Sequence, residues 1–367
     1  MHTELCDRFG IQYPIFAFTP SEHVAAAVSR AGGLGVLGCV RFNDADELDG
    51  VLDWMDENTD GKPYGVDVVM PMKIPTEGKS VDLKAMIPEE HVSFVEKTLQ
   101  QLGVPPLPEG DEREGVLGWL HSMARSHVDV ALRHRPVLIA NALGSPPVDV
   151  IEQAHAAGVA VAALAGAAKH ALSHLKNGVD IIVAQGYEAG GHTGEIASMV
   201  LTPEIVDAVG PDVAVLGAGG IGRGRQVAAS LALGAQGVWT GSVWLTTAEY
   251  ANLNTNAGMT EAFLRASSAD TVRTRVYTGK PARLLKTKWT EAWNEEGAPS
   301  PLPMPLQNLL VSEAHSRMND HGDPDVVSMP VGQIVGRMNE VRSVADVMAE
   351  LVQGYDEAVA RLEKIRG

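Results

Sequence analysis

The chain has few cysteines, few aromatic residues and few positive charges. Its two cysteines, Cys6 and Cys39, stand in 367 residues, too few and too scattered for a zinc cage or a disulfide framework, so both are expected to pack as ordinary side chains. The aromatic fraction of 5% calls for a core of aliphatic side chains. The formal net charge of -17 disfavours nucleic acid and anionic membranes as partners. Local backbone N–H groups can still hold a phosphate in such an acidic protein.

Long apolar runs are also missing. No run reaches the roughly 18 to 20 residues that span a bilayer. The first residues, MHTELCDR, lack the basic-then-apolar order of a signal peptide. These absences predict a cytoplasmic protein without a membrane partner.

Glycine, in contrast, is plentiful and recurs at the ends of short apolar segments. Eight segments, most of them continuous apolar runs, predict parallel strands buried on both faces: Pro14–Thr19, Gly35–Val40, Tyr64–Met70, Pro136–Ala142, Val159–Ala165, Asp180–Gln185, Val213–Gly217 and Gly237–Trp244. Helix-like segments separate most of them: Glu22–Ala31, Asp46–Glu57, Pro147–Ala157, Ala167–Asn177, Pro203–Val209 and Arg223–Leu233. Eight strands alternating with helices favour an α/β fold of the (β/α)8 (TIM) barrel type over an open, doubly wound sheet.

Two stretches fall outside this alternation. Residues 71–134 follow the third strand and contain helix-like pieces at Glu89–Leu102 and Glu114–His134. Because they leave the C-terminal end of a barrel strand, they are expected to form a cap over the active-site face. Residues 258–367 are expected to form a helical extension. The predicted domains are therefore a barrel of residues 1–70 and 135–257, an insertion of residues 71–134 and the C-terminal extension.

The segment from Asp180 to Gly194 carries the strongest chemical signal. A predicted strand ends at Gln185, and a glycine-rich turn then presents Glu188, a candidate substrate contact, and His192. The C-terminal strand ends of a barrel converge on its active site. A histidine there can act as a general base or as a hydrogen-bond donor to developing negative charge. An isolated loop histidine is more often a solvated surface residue, but the strand end and the glycines favour the catalytic interpretation.

Two further glycine turns follow in barrel order. Residues 217–222 read GAGGIG and match a dinucleotide-binding fingerprint. No acidic residue follows between Arg225 and Thr247 to hold a ribose, so a Rossmann interpretation is rejected. Gly241 and Ser242 end the next predicted strand. Glycine turns after the last two strands of a barrel form a recurrent phosphate cradle.

A basic segment, Thr278–Arg283, follows the barrel in this acidic chain. Its Lys280 or Arg283 could contact a substrate. A solvated helix cap or a salt bridge to the barrel explains the same charges equally well, so both interpretations stay open.

These segments together resemble the nitronate monooxygenase family, formerly called 2-nitropropane dioxygenases. The resemblance covers about residues 10–70 and 135–285, and its specific part is the string QGYEAGGH. The matching segments are Tyr13–Ile15, Ala25–Gly38, Gln185–His192, Ala218–Ile221, Leu231–Val238 and Thr278–Arg283.

The resemblance implies FMN at the C-terminal mouth of the barrel. It would place the flavin ring and phosphate beside these residues: Gln185, Gly190, Gly191, Gly219, Gly220, Thr240, Gly241 and Ser242. His192 matches the family histidine that polarises the nitro group or abstracts a substrate proton. The reaction implied is oxidation of an alkyl nitronate, with O2 as the acceptor, to a carbonyl compound and nitrite; the cofactor supplies the redox chemistry.

Two segments depart from the family pattern beside the expected flavin. Ala17 and Phe18 stand where the family has Ala-Pro-Met, and Asp67 stands where it has asparagine. An ionised Asp67 would disfavour an anionic reduced flavin, unless its carboxyl is protonated or turned away.

Other functions fit the same sequence. The same barrel and flavin could instead take hydride from NAD(P)H and reduce a quinone or an enoyl thioester. A flavin-binding sensor without turnover agrees less well with the intact turn from Glu188 to His192. An apolar cap could also form a homodimer interface.

Overall fold

The centre of the molecule is a closed barrel of eight parallel strands. The computed structural model describes residues 1–70, 83–108, 121–253 and 257–367. The barrel strands are β1 (Ile15–Thr19), β2 (Leu34–Gly38), β3 (Tyr64–Val68), β4 (Leu138–Asn141), β5 (Ala160–Ala165), β6 (Ile181–Gln185), β8 (Ala214–Ala218) and β9 (Gly237–Thr240), while β7 (Gly191–His192) lies outside the barrel. Strand β9 pairs with β1 and closes the sheet. The predicted (β/α)8 barrel is confirmed.

Helices surround this barrel. They are α1 (Glu4–Phe9), α2 (Glu22–Arg30), α3 (Ala45–Asn58), α4 (Glu89–Gln101), α5 (His121–His134), α6 (Val148–Ala156), α7 (Ala168–Lys176), α8 (Ser198–Val209), α9 (Gly224–Ala232), α10 (Ala257–Arg265), α11 (Lys288–Ala292), α12 (Leu306–His321) and α13 (Val344–Arg366). Short 3₁₀ segments occur at Cys39–Arg41, Lys84–Met86, Ser242–Trp244, Ala248–Asn252 and Gln333–Arg337. Within the described ranges, no helix is both long and apolar enough to cross a membrane.

The outer ring is completed by the last helix of the chain. Helix α13 packs against both α9 and α2, and so occupies the position that a helix directly after β9 would otherwise fill. It approaches α9 very closely, because a Cβ added to Gly224 would lie 2.2 Å from Leu351 O and from Tyr355 N. The C-terminal extension is therefore part of the barrel wall.

The described residues of the predicted insertion make two kinds of contact. Helix α4 packs against α12 of the C-terminal extension, whereas α5 packs against α3, α6 and strand β3 of the barrel. The division into domains stays a prediction, and these contacts would move its second boundary to a point before α5.

The C-terminal extension also contains strands that the sequence did not predict. Strand β10 (Thr271–Thr274) pairs with β11 (Ala282–Leu285), and β11 pairs in turn with β7. Each of these strands has at most four residues, and no run of alternating apolar residues indicates them. The small sheet attaches the extension directly to the turn that carries His192.

The barrel interior is filled by side chains from alternate positions of the strands. This interior cluster includes Phe16, Leu34, Val36, Leu138, Ala140, Ala162, Ile181, Val183, Leu216 and Trp239. On β3, Val66 and Val68 belong to the outer layer, so Asp67 between them faces inward. Gln185 follows the same alternation on β6. The interior is thus apolar below and carries polar groups at its C-terminal end.

Candidate active site

His192 lies at the edge of the small sheet. Strand pairing places it opposite Ala282, and Gly191 opposite Arg283. Gly191 has φ of +75°, a left-handed conformation that favours glycine at this point of the turn. The sheet therefore fixes the backbone that carries the histidine.

The imidazole of His192 is neutral at physiological pH. Burial, with a smaller contribution from the positive charge of Lys280, lowers the pKa of His192 to about 4. Its Nε2 lies 2.6 Å from the Thr278 hydroxyl oxygen. Within the described part of the chain, Nδ1 has no hydrogen-bond partner. The side chain thus combines one fixed ring nitrogen with one that is free for a ligand.

Glu188, predicted as a candidate substrate contact, is engaged by the first turn of α8. Its carboxylate accepts hydrogen bonds from Ser198 N at 2.9 Å and from Ser198 Oγ at 2.9 Å. A carboxylate at a helix N-terminus is stabilised by unpaired N–H groups and by the helix dipole. This contact fixes the turn between Gln185 and His192.

The two candidate cations have different environments. Arg283 is 2% exposed and donates hydrogen bonds to Tyr187 O and Thr271 Oγ1. Its guanidinium also lies over the Tyr187 ring, 4.4 Å from the centroid. The side chain of Lys280 is exposed, and its charge reaches His192. Arg283 therefore supports the turn through Tyr187, while the exposed Lys280 makes no hydrogen bond or ion pair through its side chain within the described residues.

The mouth of the barrel is formed by the last inward-facing residues of its strands. The Phe18 ring stacks on Trp239 with centroids 6.3 Å apart. Asp67 and Gln185 occupy equivalent inward positions on β3 and β6. Ala17 packs into the outer layer against α2, so only its backbone could face a ligand at the mouth.

Asp67 is a buried carboxyl, 2% exposed. Burial raises its pKa well above the usual value for aspartate, because a buried site favours the neutral form of the carboxyl over the charged one. A neutral Asp67 places no charge at the mouth. It would therefore not repel an anionic reduced flavin, as an ionised aspartate in place of asparagine would.

The turn after β8 presents free backbone donors. Gly219 and Gly220 have φ of +104° and +69°. In the described ranges, the N–H groups of Gly219, Gly220 and Ile221 donate to no acceptor. Gln226 braces the loop, since its side chain accepts from Gly222 N at 2.9 Å and donates to Gly220 O at 2.6 Å. Free N–H groups on a braced glycine loop suit an anion such as phosphate.

The turn after β9 leaves space beside Gly241, whereas the preceding residue, Thr240, is held by hydrogen bonds. A Cβ added to Gly241 would meet only Phe18, at 3.8 Å or more. Thr240 Oγ1 donates to Phe16 O at 3.1 Å and accepts from Trp244 Nε1 at 3.0 Å. The predicted contact of Thr240 with a cofactor would therefore use its backbone, whereas Gly241 has room beside it.

The sequence did not indicate the segment that joins these turns. Gly332 N donates to Ser242 Oγ at 2.8 Å, and Gln333 N donates to Glu188 O at 2.9 Å. A Cβ added to Gly190 would lie 2.7 Å from Gly332 N. The C-terminal extension thus connects the histidine turn to the turn after β9, a contact that no local motif encodes.

The comparisons with known proteins agree with this architecture. The family model described as nitronate monooxygenase matches residues 2–354. A Mycobacterium tuberculosis protein named as a candidate monooxygenase, Rv1533, is 48% identical over 376 residues. The alignment covers 99% of this chain and 99% of that protein. A Staphylococcus aureus (strain Newman) protein named as a candidate nitronate monooxygenase is 29% identical over 345 residues, 90% of each chain.

Two solved structures are similar to this chain over nearly its whole length. Nitroalkane oxidase from Streptomyces ansochromogenes is 26% identical, with a TM-score of 0.79, covering 98% of this chain and 99% of that one. FabK from Thermotoga maritima is 25% identical with a TM-score of 0.75, covering 100% and 99%. With a family model matching nearly the whole chain, this protein belongs to the nitronate monooxygenase family and is an oxidoreductase.

Proposed function

We propose that this chain is an FMN-dependent nitronate monooxygenase, which oxidises alkyl nitronates with O2 to a carbonyl compound and nitrite. The observation that carries the proposal is the neutral His192 with a free ring nitrogen. It lies on the loop that follows β6, on the same face of the barrel as the two glycine turns. A family model for nitronate monooxygenases over residues 2–354 supports the substrate class.

The residues at the mouth fit FMN. The free N–H groups after β8 and the open position at Gly241 suit a phosphate, and Gln185, Phe18 and neutral Asp67 would face the flavin ring. When bound, the flavin supplies electron transfer and reaction with O2. The chain itself would hold the phosphate through these N–H groups, place the stacked Phe18 and Trp239 rings beneath the flavin, and present His192 to the nitro group.

His192 would contact the negatively charged nitro oxygens of the substrate. Removing one such positioned donor typically costs about 10²- to 10³-fold in kcat. We expect His192→Ala to lose about that factor in aerobic oxidation of propyl-2-nitronate, measured by nitrite release and oxygen uptake. His321→Ala, at an exposed position at the end of α12, is the matched control and should retain full activity.

Two results would contradict the proposal. Equal nitrite release by the His192→Ala variant would remove the role of the histidine. No nitrite release by the flavin-loaded wild type, together with oxidation of NAD(P)H in the presence of a quinone or an enoyl thioester, would establish the reductase instead.

A further inference from the structure

The His192–Thr278 hydrogen bond defines which ring nitrogen carries the proton. A neutral imidazole has one N–H donor and one nitrogen acceptor. Nε2 lies 2.6 Å from Thr278 Oγ1, so the direction of this single bond also determines the state of the free Nδ1.

The surroundings of Thr278 set that direction. Its side chain is buried, 5% exposed. Its oxygen already accepts a long hydrogen bond from Lys280 N, at 3.4 Å. Across the described ranges, His192 Nε2 is the one acceptor available to the hydroxyl proton. If Nε2 were instead the donor, the hydroxyl proton would be buried without a partner, which is costly.

The turn that carries Thr278 holds the hydroxyl in place. Gly279 N donates to Arg275 O at 2.9 Å, and Gln307 Nε2 donates to Val276 O at 2.9 Å. Gly279 has φ of +88°, and a Cβ there would lie 2.4 Å from Leu302 O. The neighbouring Tyr277 ring stacks on His315 with centroids 4.9 Å apart. These contacts fix the backbone of the turn, and the hydrogen bond to His192 itself holds the side-chain rotamer that directs the hydroxyl at Nε2.

We infer that Thr278 is a positioning residue, which fixes His192 as the tautomer protonated on Nδ1. His192 then presents an N–H to the substrate and no lone pair. It donates a hydrogen bond to an anionic nitronate, and it is unable to remove the carbon-bound proton of a neutral nitroalkane. The tautomer follows from the geometry alone, whereas the choice of substrate rests on the proposed function.

The tautomer is tested directly by nitrogen NMR of the full-length protein with ¹⁵N-labelled histidine. His192→Gln identifies the His192 signals among those of the 12 histidines. We expect a protonated Nδ1 and an unprotonated Nε2 in the wild type and in Thr278→Ser, which keeps the hydroxyl. Thr278→Val, of similar shape, should lose this preference. A wild-type His192 protonated on Nε2, or a valine variant with the wild-type tautomer, would overturn the inference.

The chemical consequence has its own measurement. A positioned general base contributes about 10²- to 10⁴-fold, so the wild type should oxidise freshly prepared propyl-2-nitronate at least about 10²-fold more efficiently than neutral 2-nitropropane. Thr278→Val should lower the ratio of kcat/KM for the nitronate to kcat/KM for 2-nitropropane. Thr278→Ser should keep the wild-type ratio. Equal use of both substrates by the wild type would refute the donor role. If neither substrate is oxidised, the proposed function fails, while the NMR result still decides the tautomer.

Discussion

At the scale of single residues, one buried carboxyl distinguishes this mouth from the asparagine expected from the family pattern. Asp67 faces the barrel interior between Val66 and Val68, and burial raises its pKa. The sequence shows that aspartate replaces asparagine at this position, but it does not show whether the carboxyl is protonated. Whether the carboxyl is charged depends on how completely the closed barrel buries it, which only the fold determines.

The raised pKa of Asp67 predicts a pH-dependent stability. Above the ordinary pKa of aspartate and up to its raised pKa, the folded state keeps a proton that the unfolded chain has lost. The free energy of unfolding therefore falls as pH rises through this window, by up to about 1.4 kcal/mol per pH unit. Asp67→Asn keeps the shape without this proton. Relative to wild type, the variant should be more stable at about pH 8 than at about pH 5.

Urea unfolding of both proteins at the two pH values measures this effect. The difference in the free energy of unfolding between variant and wild type is expected to change from one pH to the other. An equal difference at both pH values would mean that Asp67 is ionised in the folded protein and places a negative charge at the mouth.

At the scale of elements, the barrel strands were predictable from the sequence, whereas the first residue of helix α8 and the strands outside the barrel were not. All eight barrel strands coincide with apolar segments, because strands buried on both faces need continuous apolar runs. Helix α8 begins at Ser198 and not at the predicted Pro203, since its first turn is capped by Glu188 from a different loop. Strands β10 and β11 escaped prediction because each is short and because the pairing of β11 with β7 depends on tertiary contacts.

The contact between α9 and α13 gives a test of the completed ring. Gly224→Ala would place a methyl group within 2.2 Å of the α13 backbone, and such overpacking typically costs about 1–3 kcal/mol. Gly50→Ala in α3 is the matched control, because a Cβ there meets nothing within 4 Å. That change should stabilise by roughly 0.5–1 kcal/mol. Denaturant unfolding compares the two; equal stabilities would show that α13 does not pack on α9 in this way.

At the scale of the whole molecule, an acidic protein is proposed to hold a phosphate through backbone groups. The net charge of -17 does not prevent this, since the donors after β8 are local N–H groups. The motifs of the barrel, with His192 and the glycine turns, were recognisable in the sequence because each is contiguous. The segment Thr278–Arg283 was also recognised, but the contact of Thr278 with His192 and the role of the segment around Gly332 were not, since both arise only when the C-terminal extension folds onto the site.

The proposed phosphate cradle predicts a specific charge effect. Gly241→Asp should lose FMN while the barrel stays folded, because a carboxylate would repel the phosphate. Gly241→Ala is the control, since a Cβ there meets only Phe18 at 3.8 Å or more, and it should keep more of the flavin. The flavin content after gel filtration, with circular dichroism to check the fold, measures both. Full retention of FMN by the aspartate variant would rule out the cradle.

The most direct test of the account is the visible spectrum of the FMN-loaded protein under anaerobic conditions, recorded before and after additions of propyl-2-nitronate, NADH and NADPH. We predict that the nitronate bleaches the flavin bands, that neither nicotinamide does, and that admission of air restores the bands. Bleaching by a nicotinamide and not by the nitronate would contradict the proposed reaction, and failure of the protein to bind FMN at all would contradict the cofactor.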